Sequence, residues 1–170
     1  IKAMCIASDN SALIGYSYPQ FNAAKNSGKL FFCSDILNKK PEYIDISALC
    51  GNAKHELCRW WNVESIVAAN ELLEHKFYMI YKDPFDQKAG GVFEFMYYPD
   101  SNKAELKEVT YGLKKVGFNK LKLDEHNGML YLASNDGVYY LNTSREDTVW
   151  RNLNFFPKVI VSDIVFNYHT

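Results

Sequence analysis

Residues 126–142 read HNGMLYLASNDGVYYLN, in which two short apolar runs are separated by the turn-forming sequence NDG at 135–137. A second turn dipeptide, NG at 127–128, comes directly before the first run. Asn-Gly and Asp-Gly are favoured in two-residue hairpin turns, which need a positive φ at both central positions. The flanking runs are rich in Tyr, Val and Leu, which suit a half-buried strand. The stretch therefore predicts antiparallel strands at 129–133 and 138–142.

The sequence on either side of this hairpin predicts two more strands. Residues 120–124 are expected to pair with the first strand across the NG turn, and residues 149–153 follow the second strand. Each connection joins strands that are neighbours in the chain, which is the definition of a meander. Residues 120–153 are therefore predicted to form one four-stranded antiparallel sheet.

The same order of strands recurs upstream. A short strand, a polar turn and a second strand with Tyr or Phe occur in AMCIASDNSALIGYS, in ESIVAANELLEHKFYMIYK and in NKLKLDEHNGMLYLAS. In each unit a glycine then leads a third strand and a fourth strand follows, at residues 28–32 and 43–47, 91–95 and 106–110, and 137–141 and 150–154. A helix is plausible at 63–73, but the repeat favours a strand there. A further unit opens at SDIVFNYHT, so the predicted repeats are 1–60, 61–116, 117–159 and a partial unit, 160–170.

Four-stranded units of this length in series are typical of β-propeller blades. The predicted fold class is all-β, with about three four-stranded antiparallel meanders plus one strand in a single β-propeller segment, 1–170. Three blades and one strand do not close a ring of the usual roughly four to eight blades. An isolated arc would expose a blade face and sheet edges. We therefore expect part of a larger propeller, completed by its remaining blades or by other copies of the chain.

The sequence TSREDTVW at 143–150 follows the third strand of the third unit. It resembles the box of the Asp-box (BNR-type) propellers, a group that includes sortilin-like receptors, photosystem assembly factors, xyloglucanases and sialidases. Their box reads Ser-x-Asp-x-Gly-x-Thr-Trp, and the leading hydroxyl residue and closing Trp are kept here, while Arg145 and Asp147 replace the central Asp and Gly. The structural box residues would be Thr143, Ser144, Asp147 and Trp150. The resemblance implies that Trp150 packs between adjacent strands, against Tyr139 or Leu141, and it says little about function because the box is structural.

The composition limits the classes of partner. Of the 170 residues, 48% are apolar and 15% aromatic, which favours a folded, sheet-rich domain. The formal net charge is −1, so no global field recruits nucleic acid, and none is expected as a partner. No apolar run approaches the roughly 18 residues of a membrane helix, so no membrane span is expected. Because residue 1 is Ile rather than Met, we expect a processed or excised piece.

Four cysteines are present, and two of them flank the polar stretch GNAKHEL. We expect a disulfide between these two, Cys50 and Cys58, since a bond there would tie down a loop in an oxidising compartment. Free thiols are the second possibility. A zinc site using His55 is the third, and it lacks a fourth ligand at a suitable spacing. Cys5 and Cys33 lie in predicted strands, where buried thiols are common.

Candidates for catalysis are weak. Carboxylates that could serve as a glycosidase acid and base occur in predicted loops, at Glu71, Glu74, Asp83 and Asp86, but nothing fixes their separation. A sialidase would need three converging arginines, and the chain has only Arg59, Arg145 and Arg151. No metal and no cofactor is expected.

Aromatic residues are the most suggestive candidates for ligand binding. Adjacent tryptophans occur at Trp60 and Trp61, and Tyr16, Tyr18 and Phe21 cluster in GYSYPQFNAAKNSGK. Exposed aromatic side chains can stack on sugar rings or anchor a protein partner; packing beneath their own loops is the alternative.

The sequence is compatible with two functions. The first is a non-catalytic binding or scaffold module that holds a glycan or protein partner through its loops, in an extracellular, periplasmic or cell-surface setting. The alternative is part of a glycoside hydrolase propeller whose catalytic carboxylates lie partly outside this segment.

Overall fold

Twelve strands follow one another in the computed structural model, which describes residues 1–16, 29–44, 62–69, 75–82, 90–143, 149–153 and 158–167. The strands are β1 (Ala3–Ile6), β2 (Ala12–Tyr16), β3 (Lys29–Cys33), β4 (Glu42–Ile44), β5 (Asn62–Ala68), β6 (Lys76–Lys82), β7 (Gly90–Tyr98), β8 (Lys103–Glu108), β9 (Phe118–Asp124), β10 (Met129–Ser134), β11 (Gly137–Asn142) and β12 (Arg151–Asn152). Within the described ranges the helical structure is one 3₁₀ turn at Pro99–Ser101.

The strands form three four-stranded antiparallel sheets. The first sheet contains β1–β4, the second β5–β8 and the third β9–β12, and in each sheet strands adjacent in space are adjacent in the chain. The prediction of an all-β fold with three antiparallel meanders is confirmed. The glycine-led strands are the third strand of each sheet, as expected, and residues 63–68 of the segment considered for a helix lie in β5.

The two turns of the opening stretch differ from the prediction. Positive φ occurs at Gly128 (65°) and Gly137 (96°), but not at the Asn or Asp residues that precede them. The Asn127 side chain accepts the Met129 N–H at 2.9 Å, and the Ser134 hydroxyl accepts the Asp136 N–H at 3.1 Å. These side chains stabilise turns of ordinary negative φ and leave the left-handed conformation to the following glycine, as in a glycine bulge.

Strand β6 of the second sheet is buried on both faces. In β6, Phe77, Met79 and Tyr81 pack against the first sheet, whereas the alternating Tyr78 and Ile80 pack against the third. Side chains of a strand point alternately to opposite faces, so a strand covered on both faces needs an unbroken apolar run. This explains the sequence KFYMIYK.

The three sheets are in contact through their first strands as well as through their faces. β1 lies beside β5, and β5 lies beside β9. Face-to-face stacking with adjacent first strands is a blade-like arrangement, and the described residues do not form a closed ring.

The described residues of the expected fourth unit, 160–167, form no strand. Residues 158–167 lie outside any strand and instead cross the turn between β10 and β11, where the Gly137 N–H donates to the Val159 carbonyl at 2.8 Å and the Val161 N–H donates to the Ser134 carbonyl at 2.9 Å. A strand requires a partner strand for its backbone hydrogen bonds, and none of the described residues supplies one here. The ring of Phe166 packs edge-on against Tyr131, with centroids 5.3 Å apart.

Candidate functional site

A cavity of about 220 Å³ opens where the first strands of the three sheets end. Its walls are the ends of β1, β5 and β9 and the first residues of the turns that follow them. Most of the lining is aliphatic, and the polar side chains on it are Cys5, Ser8, Lys122 and Glu125. A concave apolar surface with a few polar groups is the usual form of a ligand site.

The turns beside the cavity share one backbone feature. Asn10, His75 and Gly128, near the end of the first turn of each sheet, all have φ between 59° and 65°. Asn and Gly tolerate this left-handed conformation, but it is uncommon for His. His75 is held in place from the first sheet, because its ring packs against Phe32 and its Nδ1 lies 3.1 Å from a carboxylate oxygen of Asp9. This contact joins the turns of two sheets.

Side chains satisfy backbone groups at the facing edges of the first strands. The Ala68 N–H of β5 donates to the Cys5 sulfur of β1 at 3.2 Å, and the Leu121 N–H of β9 donates to the Ser65 hydroxyl of β5 at 3.2 Å. In both cases a side chain of one sheet accepts an N–H of the next. The sheets are therefore registered against one another by these two bonds as well as by apolar packing.

We expect Ser65→Ala to lower the free energy of unfolding by ~1–3 kcal/mol, because it leaves the buried Leu121 N–H without its acceptor. Ser65 is 1% exposed, so water cannot easily replace the hydroxyl. Chemical denaturation measures the effect. Ser8→Ala, at an exposed turn position, is the control and should stay within ~0.5 kcal/mol of the parent. Equal stability of the two variants would contradict a role for Ser65 in joining the sheets.

The polar groups of the cavity are suited to binding. Burial raises the pKa of the Cys5 thiol, so the thiolate needed for nucleophilic attack is disfavoured. Glu125 is the one carboxylate among the described residues that line the cavity, and glycoside hydrolysis normally uses two. In the described part of the chain no carboxylate lies within ion-pair distance of Lys122.

Of the predicted ligand-binding residues, the structure describes only Tyr16, which does not line this cavity. Tyr16 is half-buried at the end of β2, opposite Lys29, and thus at the far end of the first sheet from the cavity. Trp60, Trp61, Tyr18 and Phe21 lie outside the described residues, as do the candidate carboxylates Glu71, Glu74, Asp83 and Asp86.

The predicted box is described only at its two ends. Thr143 donates its N–H and its hydroxyl to the Gly128 carbonyl, at 3.0 and 2.7 Å. Trp150 is 2% exposed and belongs to the apolar cluster between the second and third sheets, together with Tyr139 and Leu141. Ser144 and Asp147 lie outside the described residues.

The bond between Cys50 and Cys58 stays a prediction, since both residues lie outside the described ranges. We expect a cross-linked peptide containing both cysteines after proteolysis without reducing agent, detected by mass spectrometry. Cys5 and Cys33 have free thiols and should be alkylated without reduction once the chain is denatured, which provides the internal control. Alkylation of all four cysteines without reduction would contradict the disulfide.

Sequence reasoning missed Cys5, Lys122 and Glu125 as site residues. The alignment of the three repeats was the signal that could have found them, because residues just after equivalent first strands reach the same end of stacked sheets. Cys5 was predicted only to be a buried thiol.

The described residues contain no group of three or more His, Cys, Asp or Glu side chains that could hold a metal ion. Among them, no helix has the length and apolar character required to cross a membrane. No protein-family model matches the chain, and the comparison with curated proteins also gives no match.

Proposed function

We propose that the chain is a non-catalytic binding module built of consecutive β-propeller blades, and that it holds a glycan at the cavity end of its sheets. The propeller assignment is supported by the face-to-face stacking of three meanders and by the adjacency of their first strands. Additional blades are expected against the outer face of the first sheet, where Met4 and Ile6 are 51% and 50% exposed.

The observation that carries the binding function is the convergence of three sheets on one cavity. Its aliphatic wall, the Lys122 amine and the Glu125 carboxylate provide apolar contact together with a donor and an acceptor. Tyr98, which is 41% exposed, lies at the same end of the second sheet. Phenol rings combine an apolar face with a hydroxyl, which suits the mixed surface of a sugar.

A protein partner is the second candidate, and the exposed Met4 and Ile6 favour it. Ile6 also lines the cavity, so a protein segment could reach both the cavity and this apolar surface. Introduction of a charge by Met4→Glu, at a position outside the cavity lining, would then weaken protein binding and leave a glycan in the cavity little affected.

We expect a soluble oligosaccharide from a defined panel to bind the chain in calorimetric titration, and Ser8→Trp to weaken that binding by about tenfold or more, equivalent to ~1.4 kcal/mol. Ser8 lies on the cavity wall at an exposed position, so an indole there would block the entrance without disturbing the core. Ser162→Trp is the matched control, because Ser162 is exposed in the segment that crosses the opposite end of the third sheet.

Two results would contradict this function. If no oligosaccharide binds, or if both tryptophan variants bind like the parent, the cavity is not a glycan site. If the recovered oligosaccharide is shortened, the module is catalytic and the glycoside hydrolase alternative is favoured.

A further inference from the structure

A row of four polar and aromatic side chains crosses the third sheet on the face directed away from the second sheet. Lys122, Tyr131, Tyr140 and Arg151 are paired in register on the four strands, so their side chains point to the same face. Neighbouring strands are ~4.8 Å apart, so the row spans ~14 Å. Lys122 also lines the cavity, and the row therefore starts at the site of the proposed function.

This face carries positive charge although the chain as a whole does not. Lys120 lies two residues before Lys122 on β9, and Arg151 is exposed at the other end of the row. Neither lysine has an ion-pair partner in the described part of the chain. Asp124, the carboxylate of β9, is 7% exposed and accepts the His126 N–H at 3.1 Å. Lys120, Lys122 and Arg151 therefore place three cations on this face.

The corresponding face of the second sheet is built differently. There Tyr78, Ile80 and Val92 are buried against the third sheet. A further sheet stacked on the third would have to bury the amines of Lys120 and Lys122, which is unfavourable unless each receives an acidic partner. The outer face of the third sheet is suited to a charged ligand instead of another apolar sheet.

The tyrosines between the cations define the shape of that ligand. Tyr131 and Tyr140 are half-buried and directly paired, and the rings of Phe166 and Tyr131 are in an edge-type contact. Sugar rings can stack on such phenols, and carboxylate or sulfate groups form charge-assisted hydrogen bonds with Lys and Arg. An extended chain with alternating ring faces and anionic groups matches the row.

We propose that the ligand of this module is an acidic oligosaccharide, which lies across the outer face of the third sheet along Lys122, Tyr131, Tyr140 and Arg151 and places one end in the cavity. This inference rests on the proposed glycan-binding function and specifies its ligand class.

The test is a titration of the chain with oligogalacturonate and with a neutral oligosaccharide of equal length. The acidic oligomer should bind about tenfold or more tightly than the neutral one, and Lys122→Ala and Tyr140→Ala should each weaken its binding by about tenfold. Lys115→Ala, at an exposed position in the segment before β9, should leave it unchanged. Thermal melts identify any variant that has lost its fold, and the other variant then provides the test.

Each alternative outcome is distinguishable. Equal binding of the two oligosaccharides would overturn the acidic class and leave the glycan function in place. Binding of neither would overturn both. A single-stranded DNA oligomer that binds as tightly, with loss on Lys122→Ala but not on Tyr140→Ala, would show a general polyanion surface and overturn the proposal.

Discussion

Trp150→Ala should lower the free energy of unfolding by ~3–5 kcal/mol, the usual cost of truncating a buried large aromatic side chain to alanine. The indole is 2% exposed between the second and third sheets, and its Nε1–H donates to the Val109 carbonyl at 2.5 Å. The substitution therefore removes apolar contacts with both sheets and leaves a buried carbonyl without its donor. Denaturant titration followed by circular dichroism measures the loss.

Trp150→Phe separates the two contributions. A phenyl ring keeps most of the apolar contact but cannot donate to the Val109 carbonyl, so a smaller loss of ~1–3 kcal/mol is expected. Tyr111→Ala is the surface control, because Tyr111 is 75% exposed one residue from the Gly112 turn. A Trp150→Ala variant that unfolds like the parent would show that this residue does not join the sheets, and the Asp-box interpretation of residues 143–150 would lose its main support.

Strand order was predictable from sequence because it depends on local signals. Turn residues at 127–128 and 135–137, with Tyr, Val and Leu between them, specify which strands are neighbours. The repeat then extended the same order to the second unit, and β5 is a strand although residues 63–73 are compatible with a helix. The strand pattern shared by the repeats was a better predictor than the local preference of residues 63–73 for a helix.

Turn conformation was less predictable, because the same dipeptide supports more than one turn. Asn127-Gly128 suits a turn with two positive φ values, but the Asn127 side chain bonds the Met129 N–H and only Gly128 is left-handed. At position 75 the residue type, His, does not predict a positive φ. That conformation depends on Phe32 and Asp9, which belong to another sheet.

The candidate site was the least predictable feature, since it exists only where separate sheets meet. Cys5 and Lys122 are far apart in sequence and come together because the first strands of stacked sheets end at the same level. The residue type of Lys122 did not predict a binding role, because a lysine in an alternating strand is normally solvated. The binding role proposed for Lys122 depends on the strand register, which places Tyr131, Tyr140 and Arg151 in one row with it.

Phe32→Ala tests the stacking of the first sheet on the second, and it too should cost ~3–5 kcal/mol. Phe32 is 3% exposed, and its ring centroid lies 4.2 Å from that of Tyr97 and 5.9 Å from that of Phe95, both in the second sheet. Phe31 is the matched control. It is the preceding residue of β3, points to the opposite face and packs edge-on against Tyr43 of the same sheet.

Because Phe31 is half-buried and contacts its own sheet, Phe31→Ala should cost clearly less than Phe32→Ala. Hydrogen exchange adds a second measurement. Loss of Phe32 should deprotect amides of the first sheet before those of the third, since the contact it removes joins the first and second sheets and leaves the cluster around Trp150 intact. Equal losses of stability for the two variants would mean that both faces of β3 are equally well packed. The contact between the first and second sheets would then not be the main one that β3 makes.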